Sequence, residues 1–197
     1  MKLSEKIEQE LLENLNEVQK QAVLHEHGPL LILAGAGSGK TRVITHRIAH
    51  LIRVRGLRPY RIAAVTFTNK AAQEMKERLS SLIGPMAQDV MVKTFHSLGL
   101  YILRRNAAAA GLKSTFTVLD PDAQTSIIKA ILKERAIDTS ILDTAQAAHA
   151  IDRAKDSLIT PEEMEKRTDH FSQLIAPVYR SYAGKLLENN SVDFGDL

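Results

Sequence analysis

An apolar run, Leu30-Leu31-Ile32-Leu33, breaks at Ala34 into Gly35-Ala36-Gly37-Ser38-Gly39 and ends on Lys40-Thr41. Four apolar residues in a row suit a strand buried on both faces of a parallel sheet. The small residues after them let backbone N–H groups turn inward around an anion at a helix N-terminus. The general pattern G-x-x-x-x-G-K-[ST] opens on glycine, whereas here Ala34 holds that place. Alanine is small enough to leave such a loop intact. Downstream, Ile44, Ile48, Leu51 and Ile52 fall at i, i+4, i+7 and i+8, so a helix with one buried face opens at the loop. The segment predicts strand, phosphate loop and helix in that order.

The loop's chemistry follows from the charge of a nucleoside triphosphate, which backbone dipoles, a cation and a metal must meet together. Lys40 is the expected point charge on the β- and γ-phosphates. Thr41 is the expected Mg²⁺ ligand, because this hard cation takes oxygen donors and keeps phosphates and water among them. The backbone of Ala34, Gly35, Ala36, Gly37, Ser38 and Gly39 supplies the cradle.

A chain of 197 residues suffices for one sizeable core, or for a domain with a smaller appended unit. Its 44% hydrophobic and 25% charged content argue against disorder. The first twenty-one residues carry Glu5, Glu8, Glu10, Glu13 and Glu17 and have no apolar core flanked by basic residues, unlike a signal peptide. No apolar stretch approaches the length of a membrane span, and the expectation is a chain without a membrane partner. The lack of cysteine excludes disulfides and thiolate metal sites and fits a cytoplasmic location. Charge is uneven. Between residues 40 and 105 there are thirteen lysines and arginines against three acids, so a basic middle is flanked by acidic segments. A polyanion could lie on that middle, or the arginines could form a solvated face.

Helices are predicted over residues 5–13 and from Asn16, where Asn16 and Gln19 have the spacing of a capping box. Residues 62–67 and 90–95 read as two further buried strands. Each is followed by a helix: one striped with Ala72, Met75, Leu79, Leu82 and Ile83, the other running from about 97 to 110 and closed by Gly111. Alternating strands and helices argue for a parallel sheet covered by helices. From Leu112 helical spacing dominates. Asp120-Pro121 caps one helix, a second runs to Leu158, and Thr160-Pro161-Glu162-Glu163 opens another. A long stripe then follows through Phe171, Leu174, Ile175, Val178, Tyr182 and Leu186.

Three more segments surround the loop: Leu15-Asn16-Glu17-Val18-Gln19-Lys20-Gln21-Ala22-Val23 before it, then Ala64-Val65-Thr66-Phe67-Thr68-Asn69-Lys70-Ala71-Ala72-Gln73-Glu74-Met75, then Thr94-Phe95-His96-Ser97. In this order and spacing they resemble the N-terminal motifs of superfamily 1 DNA helicases of the UvrD/PcrA/Rep group. The likeness continues through residues 116–121 and 192–197. It implies an α/β fold: a P-loop (RecA-like) parallel sheet with flanking helices, plus an inserted all-α subdomain. The implied layout is a motor segment over residues 1–103, a helical insertion over 104–189, and a return to the motor domain over 190–197. The implied activity is ATP-dependent 3′→5′ translocation on single-stranded DNA with duplex unwinding. The implied ligands are ATP, Mg²⁺, single strands and single/double-strand junctions, with repair or replication proteins as further partners.

The resemblance also implies individual roles, each beside a plainer one. Gln19 matches the glutamine that reads adenine, and it is equally the third residue of a capping box. Arg42 matches the arginine stacked on adenine, or is a solvated first-turn residue. Phe67 matches an aromatic that stacks on single-strand bases, or is a core residue at a strand end. Thr68 and Asn69 would bond the DNA backbone or cap a helix, and Thr94 and His96 look like a second backbone-contacting motif. His46 and His50 have the i, i+4 spacing of a metal pair but no third ligand nearby.

The family's acidic pair for Mg²⁺ is not found before Leu197, and the expectation is an N-terminal fragment that does not turn ATP over by itself. Two alternatives stay open. One is a non-catalytic ATP and single-strand binding module; the other is a self-sufficient phosphoryl-transfer enzyme with Asp120, at the end of Thr117-Val118-Leu119-Asp120, as the metal acid.

Overall fold

The computed structural model describes residues 3–35 and 37–197. They form a mixed α/β arrangement, mostly helical, with two small parallel sheets. The chain divides into two compact units, Met1–Leu98 and Gly99–Leu197.

In the first unit, α1 (Leu3–Leu12) and α2 (Glu17–Leu24) precede the glycine loop, and α3 (Lys40–Arg53) follows it. The capping box at Asn16 forms in both directions: Asn16 Oδ1 accepts from the Gln19 N–H at 2.9 Å, and Gln19 Oε1 accepts from the Asn16 N–H at 3.1 Å. After α3 come β1 (Ala63–Thr66), α4 (Asn69–Ile83) and β2 (Met91–Thr94). Thr68 caps α4, its hydroxyl accepting from the Ala71 N–H at 3.1 Å, and Gly84 ends that helix at φ +62°. The two strands pair in parallel with Ala63 opposite Met91 and Thr66 opposite Thr94. Their core gathers Ile48, Ala49 and Ile52 of α3, Ala64 of β1, Met75, Leu79 and Ile83 of α4, and Val92 of β2. Full burial of a side chain such as Leu79 contributes roughly 1.5–3 kcal/mol.

Two expectations for this unit are corrected. Residues 30–33 form no strand, and Leu31 and Leu33 are 81% and 87% exposed. A strand with both faces buried needs ladder partners, and here β1 and β2 pair with each other. The buried stripe of α3 is also rotated: Val43, Ile48, Ala49 and Ile52 face inward while Ile44 is exposed.

In the second unit, the helix α5 (Phe95–Arg105), which begins in the first, leads to a 3₁₀ turn over Ala107–Ala110 closed by Gly111 at φ +71°. The helices α6 (Pro121–Glu134), α7 (Thr144–Asp156), α8 (Pro161–Glu165) and α9 (His170–Glu188) share one core built on Ile128, Ile131, Leu142, Ile151, Ile175 and Tyr182. Asp120, Asp143, Thr160 and Asp169 cap them in turn. Phe171, counted in the buried stripe of α9, is exposed instead, and Ser172, Ile175 and Tyr179 carry the inward face. Two-residue strands β3 (Thr117–Val118) and β4 (Ser191–Val192) pair in parallel, holding the last residues to this unit. Among the described residues no helix is long and apolar enough to cross a membrane.

Candidate functional site

The glycine loop takes its shape from backbone that side chains avoid. Gly37 and Gly39 lie at φ +74° and +86°, in the left-handed region where a Cβ is strained. Gly39 caps α3, accepting from the Val43 N–H at 3.0 Å, and so aims the free N–H groups of the first helical turn back at the loop. The loop is tied across itself by the Ser38 hydroxyl, which donates to the Gly35 carbonyl at 2.7 Å. Lys40 reaches back over it, Nζ donating to the carbonyls of Ala34 at 2.9 Å and Gly35 at 2.6 Å. Its ammonium is thereby held above the cradle. Thr41 is half-buried in the first turn of α3, and Arg42 beside it is exposed. Ala36 lies outside the described residues.

Gln19 is brought to this loop from α2. While its Oε1 serves the capping box, its Nε2 donates to the Ser38 carbonyl at 3.1 Å, and a Cβ at Gly39 would sit 3.1 Å from the same Nε2. Gln19 is thus the capping-box residue the sequence predicts, and the same side chain also reaches the glycine loop. The other end of α2 is held by Arg47 of α3, whose Nη1 donates to the carbonyls of Ala22, Val23 and His25 at 3.0, 3.2 and 2.6 Å. One guanidinium satisfies carbonyls that a helix C-terminus leaves unpaired. A cavity of about 470 Å³, in the range of small-molecule sites, is lined by Gln19, His25, Leu31, Leu33, Ser38 and Lys40 among others. The Nε2 of His25 is buried without a hydrogen-bond partner there. Sequence reasoning assigned His25 to a loop and gave neither it nor Arg47 a role, since neither falls in a recognisable pattern.

His46 and His50 do not form a metal pair. His46 Nδ1 bonds to the Leu11 carbonyl at 2.7 Å, and the buried His50 places Nε2 3.4 Å from the Glu8 carboxylate, so both fasten α1 to α3. Among the described residues no group of three His, Cys, Asp or Glu side chains could hold a metal ion. Asp120 is committed to its helix, with Oδ1 accepting from the Ala123 N–H at 2.8 Å.

The register of β1 and β2 gathers the second set of predicted residues at the strand ends. Thr66 lies opposite Thr94, so Phe67-Thr68-Asn69 and Phe95-His96 leave the sheet side by side. Phe67 is 86% exposed, which removes its reading as a core residue. Thr68 and Asn69 are exposed, Thr68 with its hydroxyl in the α4 cap. His96 is exposed as well. Thr94 is buried, its hydroxyl donating to Ser97 Oγ at 2.8 Å and accepting from the Ser97 N–H at 3.2 Å. Phe95, absent from the sequence-based candidates, packs its ring against Phe67.

A polar cluster in the second unit also escaped sequence reasoning. Lys155 of α7 bonds Asp193 Oδ2 at 2.8 Å and Asp196 Oδ1 at 2.7 Å, while the buried Tyr182 hydroxyl donates to Asp193 Oδ2 at 2.7 Å. Burial pushes the Asp193 carboxyl up, but the Lys155 ammonium and the Tyr182 hydroxyl outweigh it and hold the group below its ordinary range. Burial prevails at Asp196, which lies above its ordinary range, aided by the Asp193 charge and opposed by Lys155. Burial also raises Tyr182, with the Asp193 bond adding to it.

Residues 15–197 match the UvrD/REP helicase N-terminal domain. The chain is 48% identical over 192 residues to the ATP-dependent DNA helicase PcrA of Bacillus subtilis (strain 168), covering 97% of this chain and 26% of that protein. It is 47% identical over 188 residues to the PcrA helicases of Staphylococcus epidermidis and Staphylococcus aureus, covering 95% of this chain and 26% of each. It therefore spans about a quarter of the length of these curated relatives. The glycine loop, its lysine, the capping glutamine and the paired strand ends all lie inside the matched span, and the chain belongs to the UvrD/REP helicase N-terminal domain family.

Proposed function

We propose that this chain is the ATP-binding N-terminal part of an ATP-dependent DNA helicase that moves 3′→5′ on single strands and opens duplexes at junctions. The observation that carries the reading is the convergence of Lys40 and Gln19 on one glycine loop at the start of α3. Lys40 exchanges its bonds to the Ala34 and Gly35 carbonyls for the β- and γ-phosphates, and the N–H groups of residues 35–41 cradle the same anion. Gln19 and Arg42 take the adenine, one by hydrogen bonds and one by stacking. The Thr41 hydroxyl is a hard oxygen donor at the right end of the helix, and with phosphate oxygens and water it fits a site for Mg²⁺. An ion held there would supply charge neutralisation to the phosphates.

Single-stranded DNA crosses the ends of β1 and β2. Phe67 stacks on a base, and Thr68, Asn69 and His96 meet the sugar-phosphate backbone. Thr94 acts from beneath, by fixing the start of α5. Residues 1–103 form the first motor segment, 104–189 a helical insertion, and 190–197 the return towards the motor domain. The fold of this reading is a P-loop sheet with flanking helices, of which β1 and β2 are a parallel pair, plus an inserted helical subdomain. The setting is cytoplasmic, with repair or replication proteins as partners. These 197 residues, about a quarter of the length of the curated relatives, by themselves bind ATP and DNA without turnover. The test is ATP hydrolysis with Mg²⁺, with and without single strands, by the whole protein and by this chain, with Lys40→Ala as control. Strand-stimulated turnover by the whole protein that Lys40→Ala abolishes is expected. Turnover that survives Lys40→Ala would overturn the reading.

A further inference from the structure

The parallel register sets two aromatic residues at the mouth of the sheet. Thr66 and Thr94 are partners, and the next residue on each strand is a phenylalanine. The rings of Phe67 and Phe95 lie 5.2 Å apart between centroids with planes tilted by 47°. Both are open to solvent, Phe67 at 86% and Phe95 at 54%. Exposed aromatic rings are costly to keep in water, and neither Phe67 nor Phe95 belongs to the hydrophobic cores of the first unit.

Their backbones, by contrast, are fixed. Phe67 directly precedes Thr68, whose hydroxyl caps α4. Phe95 directly follows the buried Thr94, whose hydroxyl is bonded to both the backbone N–H and the hydroxyl of Ser97. Strand pairing holds each chain up to the preceding residue. The pair is rigidly mounted while its faces stay accessible, which is the preorganisation that lowers the ordering cost of binding.

The spacing decides how a flat ligand can use it. A base inserted between two rings needs about 7 Å between them, twice the usual stacking separation of roughly 3.5 Å. At 5.2 Å and 47° no base enters. The outer face of Phe67 is the stacking surface, and Phe95 is the wall behind it. Tilted aromatic pairs at this distance are mutually attractive, so the Phe95 ring restricts the rotation of Phe67 about its side-chain bonds.

We propose that Phe95 is a positioning residue for single-strand binding: it holds the Phe67 ring at the angle at which an unpaired nucleobase stacks on it. The inference rests on the single-strand reading of the strand ends given above. The contact is indifferent to base identity, because every base offers a π-face.

The test is carried out on the whole protein with an oligothymidylate carrying one 2-aminopurine, whose fluorescence quenching reports stacking and whose titration gives affinity. Phe67→Ala, Phe95→Leu, Phe95→Tyr and the double variant Phe67→Ala/Phe95→Leu are compared at one salt concentration, with circular dichroism melting as the check of folding. Phe95→Leu is expected to weaken binding roughly 3- to 10-fold, corresponding to loss of a tilted-pair interaction, and to reduce quenching, while Phe95→Tyr retains both. In the Phe67→Ala background Phe95→Leu is expected to add less than about 2-fold, because the ring it positions is gone. Should Phe95→Leu fail to fold, Phe95→Met removes the ring with less change in volume. If Phe67→Ala weakens binding and neither Phe95→Leu nor Phe95→Met does, the proposal is overturned and the single-strand reading stands. Full additivity of the two losses also overturns it. If Phe67→Ala itself leaves affinity and quenching unchanged, the strand-end reading fails and the proposal goes with it.

Discussion

Replacing Lys155 with methionine keeps the apolar stem of the side chain and removes the cation that two carboxylates share. Lys155 and Asp193 are almost fully buried, with 7% and 3% of their side chains exposed, and Asp196 is more open. Removing one partner of a buried ion pair typically costs about 3–5 kcal/mol, because the remaining charge is left without compensation. Asp193 keeps the Tyr182 hydroxyl at 2.7 Å and the Asp196 N–H, whose bond to Oδ1 is 3.1 Å, so the loss belongs at the lower end, about 3 kcal/mol. In a unit of this size each kcal/mol moves the midpoint by roughly 4–8 °C, so Lys155→Met is expected to melt on the order of 12–24 °C lower. Urea unfolding followed by circular dichroism gives the free energy. Hydrogen exchange resolved over α7 and α9 shows that the loss falls in the second unit.

Acid separates this mechanism from a loss of packing. In the native chain Asp193 lies below its ordinary value, so its contribution is present at neutral pH and is lost as pH falls through its folded value. Asp196 lies above its ordinary value, so the folded state takes up that proton first and gains stability as pH falls from the raised value towards the ordinary one. The native profile should therefore stay level or rise slightly on the way down to about pH 4 and fall below it. In Lys155→Met the stranded carboxyls protonate earlier, and the deficit should shrink between neutral pH and about 4. A deficit below about 1 kcal/mol, or one independent of pH, would refute the buried-pair account.

Arg47→Ala removes the guanidinium bonded to three carbonyls at the end of α2. It is expected to cost about 1.5–3 kcal/mol by thermal melting and, through Gln19, to weaken ATP more than inorganic tripolyphosphate in direct titration. Equal losses for both ligands would separate Arg47 from the adenine side. Gly39→Ala places a Cβ at φ +86° and 3.1 Å from Gln19 Nε2. A destabilisation of about 1–2 kcal/mol is expected in urea, with weakened nucleotide binding, and an unchanged variant would mean that the loop relaxes freely.

What the sequence revealed depended on how local each signal was. The caps at Asn16, Thr68, Asp120 and Thr160 were legible because their geometry closes within four residues. Gly37 and Gly39 announced the loop because few other residues accept its backbone. The face of α3 was misjudged at Ile44, since one strong apolar residue cannot say which neighbours lie across from it. Arg47, Phe95 and the Lys155 cluster were invisible for a related reason. Each acts through partners 22 to 41 residues away, and nothing in the local pattern marks them. For Phe95 the partner is Phe67, which only the β1–β2 register brings alongside.

The segment 30–33 shows where local and tertiary information part. Its composition is that of a strand enclosed on both faces, yet Leu31 and Leu33 stand in solvent while Ile32 alone packs beside Leu15, Val23 and Val43. Apolar character states what a segment needs, and only neighbours can supply it. The loop that follows keeps its form even so, because its constraints come from behind and beside it. Gln19 ties it to α2, Arg47 ties α2 to α3, and Gly39 joins the loop to α3. A loop held by two helices does not depend on a paired strand beside it. Leu31→Ser is therefore expected to leave the Lys40 and Gln19 contacts in place, with hydrogen exchange over α2 and the start of α3 as the check.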